Sequence, residues 1–256
     1  MNVLSSTIRE ILVKSEEAYG SWDAFRFKVK QSDGEGKKSV AVENKTYTDL
    51  KADSECFSAA LDSLGEVKGH IAILGTTSYE WIVAYLGIVN SGSVAVPLDA
   101  QLPAEELCDL LNRAEVTTLV FDETKADAAC KAQKECAGLK HIISMKEESA
   151  VAGACSFWRL LRDQQPGYDY APEPEELATI MFTSGTTGKS KGVMLSHRNL
   201  AENATCLDMR IDPGTVIMSV LPIHHAYCLS MDILKALSLG SVICINDSLL
   251  RVAKNI

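Results

Sequence analysis

Apolar residues recur along this chain in two rhythms. Ile8, Ile11 and Leu12 fall at helical spacing ahead of Glu16, whereas Phe25-Arg26-Phe27-Lys28-Val29 alternates with the two-residue period of a half-buried strand. Ser39–Glu43 and Thr46–Thr48, on either side of Asn44-Lys45, predict a hairpin with a short turn. Thr48-Asp49 then open a predicted helix to Leu64, with Leu50, Phe57, Leu61 and Leu64 on one face.

From His70 the rhythm changes. Short apolar runs at Ile71–Leu74, Val94–Pro97, Thr118–Phe121 and His141–Ile143 alternate with helical stretches at Tyr79–Asn90, Pro103–Ala114, Lys125–Ala137 and Phe157–Gln164. Apolar runs without alternation suit strands covered on both faces, and strand–helix alternation predicts right-handed βαβ units on a parallel sheet. The stretch 166–176 holds three prolines and four acidic residues, the composition of a solvated linker. The rhythm then resumes with strand Leu177–Thr183, a glycine-rich loop, Val193–Leu195, helix His197–Asp208, strand Val216–Val220, helix Tyr227–Leu239 and strand Val242–Ile245. The expected organisation is therefore α/β, with parallel or mixed sheets flanked by helices in two βαβ-type subdomains. The expected divisions are a leading helix and hairpin (1–69), a first subdomain (70–165), a linker (166–176) and the start of a second subdomain (177–256). A helix only beginning at Ser248 reads as a chain cut inside a larger α/β protein.

Composition narrows the function. With 46% hydrophobic residues and a net charge of −9, the chain of 256 residues has enough apolar side chains for sizeable cores and lacks the basic footprint of a nucleic-acid binder. No apolar run is long enough for a membrane-spanning helix, and the first residues carry no signal-peptide pattern. The eight cysteines form no C-x-x-C pair, so buried, reduced thiols and a cytoplasmic location are expected.

The chemistry concentrates in Thr183-Ser184-Gly185-Thr186-Thr187-Gly188-Lys189-Ser190-Lys191-Gly192-Val193. Glycines let backbone N–H groups close around an oxyanion, hydroxyls add donors, and lysines bring mobile positive charge. These are the parts of a polyphosphate cradle. A Walker A loop is excluded: Gly188-Lys189-Ser190 would need glycine at 183, where Thr183 stands, and the chain continues as a strand before any helix.

This segment, with Ser196-His197-Arg198-Asn199, resembles the phosphate loop of the adenylate-forming enzymes, which reads Thr-Ser-Gly-Thr-Thr-Gly-x-Pro-Lys-Gly-Val followed by Ser/Thr-His-x-Asn. The departure is Ser190, where that pattern carries Pro. Thr46-Tyr47-Thr48-Asp49-Leu50, the stretch Ile71–Trp81 with Gly87, Gly92 and Val96-Pro97-Leu98, and Leu221-Pro222-Ile223-His224-His225 resemble further family segments in the same order. The resemblance implies an incomplete N-terminal domain of the adenylate-forming fold, most like a long-chain fatty acyl-CoA synthetase. It implies a ligase that uses ATP with Mg²⁺ to convert a carboxylic acid, a fatty acid in the first instance, to acyl-AMP and then passes the acyl group to coenzyme A. By that match Thr183, Ser184, Gly185, Thr186, Thr187, Gly188, Lys189 and Lys191 would hold the β- and γ-phosphates, Thr183 would sit near Mg²⁺, and His225 would line the pocket where the carboxylate meets the α-phosphate. His70, His141 and His197 read as structural. The segments for adenine, ribose and a C-terminal lysine find no match, so the isolated chain is expected to be inactive and to self-associate through uncovered strand edges. Two alternatives remain at this level. Within the family the acid could be aryl or an amino acid; outside it, the chain could be a noncatalytic nucleotide-binding or regulatory module of this natural length.

Overall fold

The computed structural model describes residues 4–32, 38–183, 190–207 and 209–246. It is a mixed α/β fold with two sheets. The larger has seven strands in the order β7-β6-β5-β3-β4-β8-β9. These are β3 (His70–Leu74), β4 (Val94–Leu98), β5 (Val116–Phe121), β6 (His141–Ser144), β7 (Cys155–Ser156), β8 (Leu177–Thr183) and β9 (Lys191–Ser196). All pair in parallel except β9, which runs antiparallel to β8. The smaller sheet has the order β10-β11-β1-β2, from β1 (Asp23–Ser32), β2 (Lys38–Thr46), β10 (Val216–Ser219) and β11 (Val242–Ile245).

Helix positions follow from the apolar pattern. Helix α3 (Tyr79–Asn90) carries apolar residues all round and is buried almost along its whole length, with Trp81, Tyr85 and Val83 in the main core. It shares that core with α1 (Ile8–Tyr19), α2 (Tyr47–Ser63) and residues Phe25 and Ile243 of the smaller sheet. Fully burying each large apolar side chain is worth about 1.5–3 kcal/mol, so this one helix ties the two sheets together. The opposite face of the seven-stranded sheet is covered by α4 (Ala104–Arg113) and α5 (Ala126–Glu135), with Leu107, Leu111, Ala129 and Ala132 packed on Leu119 and Phe121. Among the described residues no helix is long and apolar enough to cross a membrane.

The expected hairpin around Asn44-Lys45 does not exist. Both residues lie within β2, which pairs continuously with β1, and the connection between the strands spans 33–37, outside the described residues.

Hydrogen bonding also does not follow the division expected at 166–176. The strands on either side of that stretch share one sheet, since β8 pairs with β4, while β11 pairs with β1 at the other end of the sequence. The stretch itself is fastened down. The Gly167 N–H donates to Glu55, the Tyr170 hydroxyl donates to both Glu176 carboxylate oxygens, and the Arg198 N–H donates to the Pro174 carbonyl.

The helix expected over Tyr227–Leu239 is wound differently. Cys228–Lys235 form π-helical turns, followed by the short α-helical stretch Ala236–Ser238. The buried pairs Cys228/Ile233 and Leu229/Leu234 are each five residues apart, the repeat that the wider turn brings onto one face. The thiols are less uniform than expected: Cys56, Cys108, Cys136 and Cys228 are buried, Cys130, Cys155 and Cys244 are half-buried, and Cys206 is exposed, all unpaired.

Candidate functional site

Parallel strands place their carboxyl ends on one side of a sheet, and that is where open α/β folds bind ligands. Here both sheets direct such ends toward a cleft of about 960 Å³. The seven-stranded sheet contributes Gly75–Glu80 after β3, Asp99–Gln101 after β4 and Lys146 after β6. The smaller sheet contributes Val220–His225 after β10 and Asn246 after β11, with Phe27 and Val29 of β1 forming an apolar wall.

The β10 segment turns sharply so that two histidines face this cleft. The His225 N–H donates to the Pro222 carbonyl at 3.1 Å, and buried Ile223 anchors the turn. The imidazole rings of His224 and His225 lie 4.2 Å apart; His225 is exposed to the cleft and His224 is half-buried behind it. His224 Nε2 is 3.8 Å from an Asp99 carboxylate oxygen. Burial holds the His224 pKa below the ordinary histidine value, opposed by the Asp99 carboxylate and aided by neighbouring His225. Below the turn the Cys228 thiol donates to the Leu221 carbonyl at 3.3 Å and lies 3.5 Å from the Ser219 hydroxyl. Burial pushes that thiol up to about 12, so it acts as a neutral prop for the turn.

Of the residues singled out from sequence, Thr183, Lys191 and His225 are described; Ser184, Gly185, Thr186, Thr187, Gly188 and Lys189 lie outside the described residues. Thr183 and Lys191 end and begin the two strands of a hairpin and stand opposite each other in register, both exposed, with the Thr183 hydroxyl 3.5 Å from the Lys191 carbonyl. The parallel pairing Ala95↔Thr179 sets β8 beside β4, so Thr183 at the end of β8 and Asp99, the residue after β4, stand at the same edge of the sheet. The root of the glycine-rich segment is therefore one strand away from the carboxylate that faces His224.

Thr183 offers a metal one neutral hydroxyl. Among the described residues no group of three or more His, Cys, Asp or Glu could hold a cation. A divalent ion there fits as part of a metal–nucleotide substrate whose phosphates supply most of the oxygen ligands, as Mg²⁺ prefers.

Sequence reasoning singled out neither Asp99 nor His224. The available signal was positional: Asp99 directly follows β4, at a strand's carboxyl end. The Ser196-His197-Arg198-Asn199 stretch turns out to be a helix start. Ser196 caps the helix His197–Thr205 in a reciprocal pair with Asn199, while His197 is fully buried. His70 and His141 likewise serve the frame, His70 Nδ1 lying 2.6 Å from the Ala114 carbonyl and His141 beside buried Glu66.

The pattern of the AMP-binding enzymes matches residues 29–254. The chain belongs to the AMP-binding enzyme family. This AMP-binding chain is 30% identical over 201 residues to a methyl-dioxo-octahydro-indenyl-propanoyl:CoA ligase of Rhodococcus jostii, covering 71% of this chain and 39% of that protein. It is 28% identical over 254 residues to the long-chain-fatty-acid–CoA ligase ACSBG2 of Rattus norvegicus, covering 91% of this chain and 36% of the relative. In three dimensions it is similar to the anthranilate CoA ligase AuaEII bound to anthranoyl-AMP, with a TM-score of 0.83 over 99% of this chain and 46% of that one, at 18% identity. The chain thus spans less than half the length of each of these proteins. Its α/β architecture is that of the N-terminal part of the adenylate-forming fold.

Proposed function

We propose that this chain is the N-terminal part of an ATP-dependent acid–CoA ligase. The observation that carries the reading is the convergence at the carboxyl ends of β4, β8 and β10. There Thr183, at the end of β8 and opposite Lys191, stands one strand away from Asp99, which lines a cleft together with His224 and His225. The reaction needs an anionic carboxylate to approach the α-phosphorus of a polyanion, so cationic and N–H donors around the phosphates lower the barrier. In this reading the Thr183–Lys191 segment receives the β- and γ-phosphates of Mg-ATP, His225 sits where carboxylate and α-phosphate meet, and His224, oriented by Asp99, backs it. Pyrophosphate leaves, and coenzyme A takes the acyl group from acyl-AMP through its thiol.

The named relatives act on different acids, and the proposal for this chain is a long-chain fatty acid, the choice supported by its similarity to the rat enzyme along 91% of its length. The 256-residue chain alone is proposed to form no acyl-AMP, because the remaining length of the relatives would supply the rest of the nucleotide site. Strand edges such as β9, where Met194 is 66% exposed, are proposed to drive self-association of the isolated chain; a clean monomer by light scattering at high concentration would argue against it.

The test is acid-dependent exchange of labelled pyrophosphate into ATP. It is run with this chain alone and with a polypeptide carrying it at the relatives' full length, against fatty, aryl and amino acids. Exchange in the longer protein with fatty acids only, abolished by Lys191→Ala and cut about 100-fold or more by His225→Ala, supports the reading. Exchange with aryl or amino acids only would reassign the substrate. ATP binding without exchange for any acid would favour the noncatalytic module.

A further inference from the structure

Ser190 stands where the resembled pattern carries proline, and the structure shows what surrounds it. On α4, Glu106, Asp109 and Arg113 are spaced three and four residues apart and so share a helix face. Arg113 Nη2 donates to the Ser190 carbonyl at 2.7 Å, and the Ser190 hydroxyl donates to Glu106 Oε1 at 3.4 Å. The Arg113 guanidinium also lies 5.6 Å from the centroid of the Phe182 ring and is steadied by Asp109 at 3.3 Å. Phe182 pairs with Gly192 across the β8–β9 hairpin. One arginine therefore grips both limbs of the hairpin, at the residue before Thr183 on one side and the residue before Lys191 on the other.

We infer that Arg113 and Glu106 are positioning residues: they clamp Ser190 to α4 and so fix the Thr183–Lys191 root of the glycine-rich segment for phosphate binding. A proline at 190 would restrict the backbone through its ring, by fixing φ. In this chain the restriction comes from outside, by a charge-assisted hydrogen bond and a cation–π contact. The functional half of the inference rests on the nucleotide reading proposed above; the clamp itself does not.

The experiment compares wild type, Arg113→Met, Ser190→Ala, Ser190→Pro and the double variant Arg113→Met/Ser190→Pro in the 256-residue chain. Amide hydrogen exchange between Phe182 and Gly192 is measured alongside ATP binding by calorimetry and thermal midpoint. Arg113→Met should speed exchange in this segment about fivefold to tenfold, with the midpoint moved by no more than about 2 °C. Ser190→Ala should show a smaller increase, and proline at 190 should return the double variant to within about twofold of wild type. ATP affinity should fall and recover in parallel, by about fivefold. Unchanged exchange in both Arg113→Met and Ser190→Ala would overturn the clamp, as would failure of proline to restore the double variant. Faster exchange with unaltered ATP affinity would overturn the positioning role. If the 256-residue wild type binds no ATP, exchange still decides the clamp, and the affinity comparison is made in the polypeptide of the relatives' full length, where absent binding counts against the nucleotide reading. Should Arg113→Met fail to fold, Ser190→Ala alone against Ser190→Pro gives the same decision.

Discussion

Gly92 and Gly65 form a matched pair for measuring what the strap at 166–176 does. Both adopt left-handed backbone, with φ of 79° and 72°. A Cβ at Gly65 would meet nothing within 4 Å, whereas one at Gly92 would lie 2.7 Å from the Tyr170 ring. That ring cannot swing away freely, because the Tyr170 hydroxyl is held by Glu176 at 2.8 and 3.1 Å. Placing alanine in left-handed backbone costs about 1–2 kcal/mol, and the stiffer unfolded chain returns about 0.4–1 kcal/mol. Gly65→Ala should therefore lose about 1 kcal/mol. Gly92→Ala adds overpacking of about 1–3 kcal/mol and should lose about 2–4 kcal/mol in total. In a Tyr170→Ala background the collision is gone, and Gly92→Ala should fall back to about 1 kcal/mol, a coupling of about 1–3 kcal/mol. Urea unfolding of the five proteins, analysed at constant slope, measures each value. Equal losses at Gly65 and Gly92, or strict additivity with Tyr170→Ala, would refute the claim that the strap packs on Gly92.

Three further outcomes follow from single contacts. Tyr85→Phe removes the buried hydroxyl 2.9 Å from Thr179 Oγ1 and should cost about 1–2 kcal/mol, while Tyr85→Phe/Thr179→Val should recover most of it; urea unfolding that shows the double variant worse than the single would contradict this. His197 is fully buried, and burial lowers its pKa to about 4, opposed by Glu176. Its unfolded form holds the extra proton between that value and about 6.5, so its contribution is complete above pH 6.5 and is lost as pH falls toward 4, by about 3 kcal/mol. His197→Leu should flatten the fall in unfolding free energy over that window, and an unaltered slope would show that other groups cause it. Asp99→Asn removes the carboxylate that raises the His224 pKa, so the His224 ring should titrate at lower pH by NMR; a constant or higher midpoint would mean that the 3.8 Å pair does not persist in solution.

Much of this molecule was legible before any coordinates. The apolar runs at β3, β4, β5 and β6 were found because strands covered on both faces lose their alternation, a strong local signal. Helix ends were legible to within a residue or two where a side chain caps them: α2 was expected to open at Thr48-Asp49 and opens at Tyr47, capped by Thr46 and Asp49. What stayed hidden was decided by partners distant in sequence. Nothing near Leu177 reveals that β8 inserts beside β4, and nothing in 227–239 alone reveals that packing widens the helix. The same holds at the candidate site. Thr183, Lys191 and His225 announce themselves through residue type and local pattern, but Asp99 acquires meaning only when the parallel pairing of β4 and β8 sets it at the same edge of the sheet as Thr183. Arg113 was illegible for the same reason, since it reaches Ser190 across 77 positions.

The smaller sheet carries a consequence for how the chain is made. Its first hairpin, β1–β2, has its parallel partner in β11, so Phe25 waits for Ile243, 218 positions later. Tyr47 donates its hydroxyl to the Ser241 carbonyl, and Ser15 donates to the Leu237 carbonyl, so α1 and α2 also gain partners near that point. At translation rates of about 5–20 residues per second, the hairpin emerges from the ribosome about 10–45 s before the strand that covers its edge. Its exposed edge is then open to other nascent chains, while the seven-stranded sheet can begin pairing β3 with β4 within a few seconds. Synthesis order thus favours the larger sheet as the template, with the β1–β2 hairpin, made ahead of it, completing its own sheet later.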